Sequence, residues 1–367
     1  MDAAFALQQI EGWQKARVKL PSLSRVEGWR WPKRLSMEQC SSEETAMLKK
    51  RIVGDVRTGA DLTGGFGIDT FYLSEGAEEW HYVEMQEELC RTAEHNFSMT
   101  DRNIRIHHTT AEDFLIGMPQ TDILFLDPAR RNEHGGKVFK LEDCTPDITQ
   151  LYPTLMQKTE RLMLKLSPML DLQEALRHLP DAREVYVVAV KGEVKELLVV
   201  CRREVESQKS AARAAIDIVA VNLTGQGEET FRFTEEEESQ AEACFLSETD
   251  SPNGYLYEPN AAILKAGAFR LIGQRYGLRK LSANTHLYQG EQLISNFPGR
   301  AFRIIGTIGR AEQKTLGGQK ANVLTRNHPL RPEEIRKKLR LKDGGEQYVI
   351  GARIGDKPVL VLAERQY

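Results

Sequence analysis

From residue 55 onward, short apolar or β-branched runs alternate with stretches of helical length. The runs are Val56–Leu62, Trp80–Glu84, Ile104–His108, Asp122–Asp127 and Arg161–Leu166. Between them lie Phe71–Glu75, Glu87–Met99, Ile148–Thr159 and Leu170–His178. Strand-length runs separated by amphipathic segments predict βαβ units and a parallel sheet. The pattern then changes: Glu184–Val190 and Glu196–Cys201 flank a turn at Lys191-Gly192-Glu193. A hairpin there sets one strand antiparallel to the rest. The pattern therefore predicts an α/β fold of five parallel strands closed by an antiparallel hairpin.

The flanks read differently. Gln8–Val18 predicts a helix, and Pro21 and Pro32 interrupt the stretch after it. Ser41 and Glu44 have capping-box spacing, with a helix running on through Arg51. Ile216–Leu223 and Glu229–Thr234 suggest another hairpin. Near the end, Arg331–Arg340 predicts a helix with Pro332 in its first turn and bases in its last, which suits the helix dipole. Gln347–Arg353 and Pro358–Ala363 read as strands after it.

At 367 residues the chain is long enough for two or three domains. Hydrophobic residues are 41% and charged residues 28%, a globular balance. No apolar run approaches the roughly 20 residues of a membrane span, and no secretory leader is evident, so no membrane partner is expected. Five dispersed cysteines argue against a disulfide framework and for a reducing compartment, hence a cytoplasmic location. Net charge is −3, so any nucleic-acid contact has to be local. From Glu228 to Asp250, nine acids face one base, Arg232; from Gly299 to Tyr367, fifteen Lys and Arg face seven Asp and Glu. That reversal suggests a boundary near residue 245.

The first strand runs into Asp61-Leu62-Thr63-Gly64-Gly65-Phe66-Gly67. Glycines there allow backbone to approach a ligand closely, and a helix comes next. The spacing is not that of a dinucleotide loop, and Asp61 would repel a pyrophosphate. It suits a cation, a hydroxyl or an amine. Glu84, ending the second strand, is placed to accept both hydroxyls of a ribose.

These residues, with Leu126-Asp127-Pro128-Ala129-Arg130-Arg131 at the fourth strand, resemble a class I S-adenosylmethionine-dependent methyltransferase. The resemblance covers about residues 45–203 and implies a Rossmann-like sheet. It implies that the glycine turn, through Asp61, Thr63, Gly64, Gly65 and Gly67, holds the methionine part of the cofactor, and that Glu84 holds the ribose. Asp127 and Pro128 then face the methyl group. Thr110 stands where the family often has an adenine-reading acid, which leaves Glu112 and Asp113 as candidates. Arg130 and Arg131 follow where the family usually has an aromatic that stacks on the target base; an arginine plane can also stack, so both are expected to contact the substrate.

More narrowly, Glu38–Glu43, Asp127–Arg131, Lys165–Asp171 and Lys195–Leu198 are similar to a bacterial subgroup with ferredoxin-like and THUMP-like domains at the C-terminus; Tyr255–Ala262 and Phe297–Arg300 resemble the first of these, and Arg336–Leu339 with Asp343–Gly345 the second. This implies an N-terminal helical segment (1–44), a methyltransferase domain (45–243), a ferredoxin-like segment (244–298) and a basic THUMP-like domain (299–367). The last two are expected to be small α+β units.

Methyl transfer is an in-line displacement, so alignment dominates. Asp127 is the expected acceptor for an amine proton, beside the Pro128 carbonyl. Lys165 is expected either to pair with Asp127 or to guide a phosphate. Cys144 lacks the context of a carbon-methylating nucleophile, and Gly135-Gly136 sits in a long loop that suits a gate. His107 and His108 alternate faces of a strand, and no histidine has ligand spacing, so no metal is expected. Arg336, Lys337, Lys338 and Arg340 give the last helix a positive face suited to RNA phosphates. The expectation is a methyltransferase acting on a base nitrogen of RNA, with tRNA the class implied by the THUMP-like resemblance. Two alternatives stay open: an RNA-binding protein that keeps the cofactor pocket without catalysis, and a methyltransferase for a protein or small molecule.

Overall fold

The computed structural model describes residues 3–130, 141–203 and 215–367. The chain forms two compact units, Met1–Tyr186 with Lys195–Ile216, and Val187–Val194 with Asp217–Tyr367.

The first unit opens with helices α1 (Ala3–Lys19), α2 (Arg34–Gln39) and α3 (Glu43–Val53). Strands β1 (Thr58–Asp61), β2 (Glu79–Glu84), β3 (Ile104–His108) and β4 (Thr121–Leu126) come next, separated by α4 (Ile68–Leu73), α5 (Glu87–Phe97) and α6 (Ala111–Gly117). A short ribbon, β5 (Ala129–Arg130) with β6 (Cys144–Thr145), precedes α7 (Ile148–Lys158), β7 (Thr159–Leu166) and α8 (Leu172–Arg177). Strands β8 (Ala182–Val190) and β9 (Glu193–Arg202) end the run, their turn-side residues Val187–Val194 being grouped with the second unit.

Strand order is β8-β9-β7-β4-β1-β2-β3. β1, β2, β3, β4 and β7 pair in parallel, and β9 lies antiparallel to β7. The five-strand plan closed by an antiparallel hairpin is what the pattern predicts. Connections from β1 run toward β3, and those from β4 run toward β7. The order therefore reverses between β1 and β4, and a ligand crevice opens at the carboxyl ends of strands at such a switch point. Leu124, Phe125, Leu162 and Leu164 at the sheet centre are fully buried.

The N-terminal segment shares this unit's core. Ala16, Leu20, Leu23, Trp29, Trp31 and Met37 cluster with Phe66, Ile68 and Tyr72 of the turn after β1 and α4. Lys19 Nζ donates to the Met37 and Glu38 carbonyls at 2.9 and 2.8 Å, which pins α2 against the end of α1.

Local details correct three readings. The cap of α3 is Ser42, whose hydroxyl accepts the Thr45 N–H, so Ser41 is free for another task. α4 begins at Ile68 rather than Phe71. Helix α6, capped by Thr110, has no counterpart in the sequence reading.

In the second unit β10 (Asp217–Thr224) and β11 (Gly227–Thr234) form the expected antiparallel hairpin. Then come α9 (Glu235–Gln240), β12 (Tyr255–Pro259), α10 (Ala261–Ala266), α11 (Leu271–Arg275), β13 (Arg279–Ser282) and β14 (Thr285–Gly290). The chain ends with β15 (Gly299–Thr307), α12 (Arg310–Thr315), β16 (Asn322–Thr325), α13 (Pro332–Leu339), β17 (Gln347–Ile354) and β18 (Lys357–Arg365). One seven-stranded sheet, β13-β14-β12-β15-β18-β17-β16, runs through both C-terminal segments. β12 pairs antiparallel with β15, so the sheet is continuous across residue 299. It curls around Leu256, Leu281, Phe302, Ile350 and Val361. The curl brings Arg326, just past β16, onto Glu258 of β12, where Arg300 also binds. The acidic stretch is largely tied down: Glu238 accepts the Phe269, Arg270 and Leu271 N–H groups, and Glu248 accepts that of Asp356.

Candidate active site

The turn after β1 is built around a buried carboxylate. Asp61 is 1% exposed. It accepts the Thr63 N–H at 3.0 Å and the Thr70 hydroxyl at 2.7 Å. Burial pushes its pKa up to about 7; the Thr70 and Thr63 hydrogen bonds oppose this, and nearby Asp69 and Asp127 reinforce it. The next turn residues bind back to β2. Gly64 N–H donates to the Val83 carbonyl at 2.8 Å, Gly65 N–H to Glu84 at 2.9 Å, and the Tyr82 hydroxyl to the Gly65 carbonyl at 2.6 Å. A Cβ on Gly64 would lie 2.2 Å from the Tyr82 ring, so only glycine fits. Gly67 adopts φ 84°, the left-handed conformation from which α4 starts.

Glu84 is 8% exposed and accepts from Gly65 N–H on one oxygen and from Gln86 N–H, at 2.8 Å, on the other. An ionised carboxylate offers about four lone-pair positions, so each oxygen keeps one for a ligand.

Asp127 comes directly after β4. Its N–H donates to Thr63 Oγ1 at 2.6 Å, and its carboxylate pairs with Lys165 at the end of β7. The Asp127 side chain is 38% exposed and that of Lys165 12%. Burial alone would depress Lys165, but Asp127, Asp69 and Glu196 outweigh it and hold the ammonium above its ordinary range. Of the two roles expected for Lys165, the structure shows the pairing with Asp127.

Behind Lys165 lies a buried charge network. Lys49 of α3 is 0% exposed and donates to both Glu196 oxygens at 2.8 and 3.0 Å. It also donates to the Ser41 hydroxyl at 3.1 Å and lies 3.2 Å from Asp69 Oδ1. Ser41 in turn donates to Asp69 Oδ2 at 2.7 Å. Burial pushes the Glu196 carboxyl up against the pull of Lys49 and Lys165. For Asp69, Lys49 and Lys165 overcome burial and hold the carboxyl below its usual range. Three stretches singled out in the sequence, around residues 41, 165 and 196, thus meet at one place.

Apart from Lys49, Thr70 and Tyr82, which stand behind them, these groups line one cavity of about 1260 Å³. Asp61, Thr63, Gly64, Gly65, Gly67, Glu84, Glu112, Asp127, Pro128 and Lys165 all contribute to its wall. Asp113 does not; its N–H is capped by Thr110 and its side chain is exposed. Arg131, the Gly135-Gly136 pair and the side chain of Arg130 lie outside the described residues. The sequence reading gave no site role to Ser36, Gln39, Cys40 and Ser41, which bring the N-terminal segment to the wall, nor to Asp69. Cys144 also reaches it. Elsewhere, His81 Nδ1 and His107 Nε2 lie 3.0 Å apart on β2 and β3, a neighbourhood that needs the strand register to be seen.

The cavity fits S-adenosylmethionine. Its volume exceeds the few hundred Å³ of a single small-ligand pocket at the low end of the usual range, which leaves room for an acceptor group. The Gly64 approach, which a Cβ would block, brings backbone to the wall, and the wall is rich in carboxylates that suit a sulfonium and a ribose.

On α13 the positive face is smaller than expected. Lys337, Lys338 and Arg340 are exposed, whereas Arg336 is half-buried and donates to Asp343 at 2.7 Å. Ile335 and Leu339 anchor the opposite face.

Comparison with known proteins agrees with this geometry. A ferredoxin-like domain model matches residues 255–298, and a THUMP domain-like model matches residues 299–365. A crystal structure from Porphyromonas gingivalis, provisionally named a methyltransferase, is 35% identical with a TM-score of 0.87, covering 99% of this chain and 90% of that one. Uncharacterized S-adenosylmethionine-dependent methyltransferases from two strains of Mycobacterium tuberculosis are 24% identical over 298 residues, covering 79% of this chain and 71% of each relative. The chain belongs to the S-adenosylmethionine-dependent methyltransferases that carry ferredoxin-like and THUMP-like domains at the C-terminus.

Proposed function

We propose that this enzyme methylates a base nitrogen of RNA, with tRNA the expected class. The observation that carries the reading is Asp127, partly exposed on the wall that also holds the glycine turn. S-adenosylmethionine, when bound, supplies an electrophilic methyl group. The turn residues Thr63, Gly64, Gly65 and Gly67 would hold its methionine part, with Asp61 fixing their shape. Glu84 would accept the ribose hydroxyls, and Glu112, rather than Asp113, would meet the adenine amino group. Asp127 and the Pro128 carbonyl would accept the N–H of the target amine, turn its lone pair toward the methyl group and take up the proton released. Lys165 fixes the Asp127 carboxylate for that task.

Support for RNA comes from the THUMP-like match and from exposed Lys337, Lys338 and Arg340, which suit phosphates. The acidic cavity wall suits a base that enters while its phosphates stay outside. The proposed arrangement is a helical segment over residues 1–44, the methyltransferase domain to residue 243, and RNA-binding segments from residue 244. Among the described residues no helix is long and apolar enough to cross a membrane. None of the five cysteines, all among the described residues, forms a disulfide, which supports a reducing cytoplasm.

The same wall favours a second acceptor class, a cationic amine of a protein or small molecule. Tritiated methyl transfer to total RNA from a strain lacking the gene, followed by nucleoside mass spectrometry, separates the two. Label in a single methylated nucleoside supports the proposal. Label confined to protein or metabolite fractions selects the second reading. Donor binding with no label in any fraction would leave a binding protein.

A further inference from the structure

We infer that Arg300 and Arg326, held by the buried carboxylate of Glu258 at one end of the curled C-terminal sheet, seat a backbone phosphate of RNA. The inference rests on the reading that the substrate is RNA.

The three residues come from separate stretches: Glu258 from β12, Arg300 from β15 and Arg326 from just past β16. Glu258 and Arg300 stand opposite each other on neighbouring antiparallel strands. Leu256, Phe302 and Leu324 pack into the interior of the curl. Side chains alternate along a strand, so Glu258, Arg300 and Arg326, each two positions away from one of these, face the same side at its rim. The stretches Tyr255–Ala262 and Phe297–Arg300, singled out in the sequence, thus supply two members of one set.

Glu258 is buried, and both of its oxygens are used. One accepts from Arg300 Nε at 2.9 Å and from Arg300 Nη2; the other accepts from Arg326 Nε. Arg326 Nη1 also donates to the Thr325 carbonyl at 2.8 Å. A guanidinium carries five N–H donors. Among the described residues, each arginine therefore keeps N–H groups that the protein does not use. The Arg300 side chain is 34% exposed and that of Arg326 39%. Beside them Asn327 donates to Thr285 Oγ1 at 3.2 Å, a neutral contact that adds no acid to the rim.

One base is enough to neutralise a buried carboxylate. The second leaves a fixed positive charge at the surface, where the end of a curled sheet is a common place for a ligand. A planar guanidinium presents paired N–H groups that match phosphate oxygens. Glu258 has already ordered both side chains, so binding a phosphate costs them little further rotamer freedom. The exposed Lys337 and Lys338 of α13 have no such buried partner and supply attraction without a fixed position.

Fluorescence anisotropy of the full chain with end-labelled bulk tRNA, between about 50 and 200 mM salt, tests this. Arg300→Gln and Arg326→Gln should each weaken binding about tenfold and lower the slope of log affinity against log salt by about one. Arg303→Gln, on the same strand but on the opposite face, should change affinity less than twofold. Glu258→Gln combined with Arg326→Gln keeps the net charge of the set and strands no buried carboxylate, so it covers the case in which Arg326→Gln alone does not fold. It should lose as much as Arg326→Gln. A thermal melt of each variant confirms folding. Wild-type affinity and slope in the folded arginine variants, or an equal loss in Arg303→Gln, overturns the inference, makes the set a staple between strands and leaves the RNA reading standing. If the wild type binds no tRNA, both the inference and the RNA reading fail.

Discussion

The Thr63 hydroxyl accepts the Asp127 N–H at 2.6 Å, joining two turns 64 residues apart. One turn comes after β1 and carries the glycines; the other comes after β4 and carries the acceptor carboxylate. Thr63 is thus a positioning residue between the proposed donor and acceptor halves of the site. A misplacement of about 1 Å can cost on the order of 100-fold in rate. Thr63→Val should lower kcat at least tenfold with KM for the donor changed little, and Thr63→Ser should restore most of it. Equal losses in both variants, read by methyl incorporation, would remove Thr63 from this role.

Gly64 should tolerate no side chain. An added Cβ would overlap the Tyr82 ring, and Tyr82 is itself fully buried. The turn has to move away from β2, breaking the Gly64 and Gly65 hydrogen bonds. Gly64→Ala should weaken donor binding more than tenfold in calorimetry while the chain remains folded by circular dichroism. Unchanged affinity would show that the turn does not shape the donor site.

Lys49 holds two buried carboxylates. Removing one partner of a buried ion pair typically costs about 3–5 kcal/mol, because the other charge is left uncompensated. Lys49→Met should lower unfolding free energy in urea by that amount. Lys49→Met with Glu196→Gln should cost less than the two single changes added together. Strict additivity would mean that the two side chains do not interact.

Asp61 sets a pH dependence. Folded, it keeps its proton up to about 7; unfolded, a carboxyl of this kind releases it near 4. The folded chain thus binds the extra proton between those values. The stability that Asp61 contributes is fully present below about 4 and is lost as pH rises to about 7. The difference in unfolding free energy between wild type and Asp61→Asn should fall across this window and level off above it. A flat difference from pH 4 to 8 would contradict the buried, proton-holding Asp61.

The sequence shows the sheet because its signal is local: each strand and crossover carries its own periodicity. Asp61, Glu84 and Asp127 are legible for a related reason, since strand ends beside turns are where such a sheet exposes polar groups. Helix α6 is not legible, being seven residues long and ending on Gly117. Lys49 sits in a stretch, Leu48-Lys49-Lys50-Arg51, that reads as a solvated helix face; its burial depends on Glu196, 147 residues away. Ser41 looks like a cap because Ser41 and Ser42 both have suitable spacing to an acid or threonine, and only the bond to Asp69 separates them. Asp113 and Glu112 are adjacent, and the turn of α6 alone decides which reaches the wall.

The account stands on the donor lying in the cavity against Glu84. Titrating the wild type and Glu84→Ala with S-adenosylmethionine, with a thermal melt of each to confirm folding, measures that directly. The wild type should saturate in the micromolar range and the folded variant should show no binding. A folded Glu84→Ala chain that binds the donor as the wild type does would contradict it.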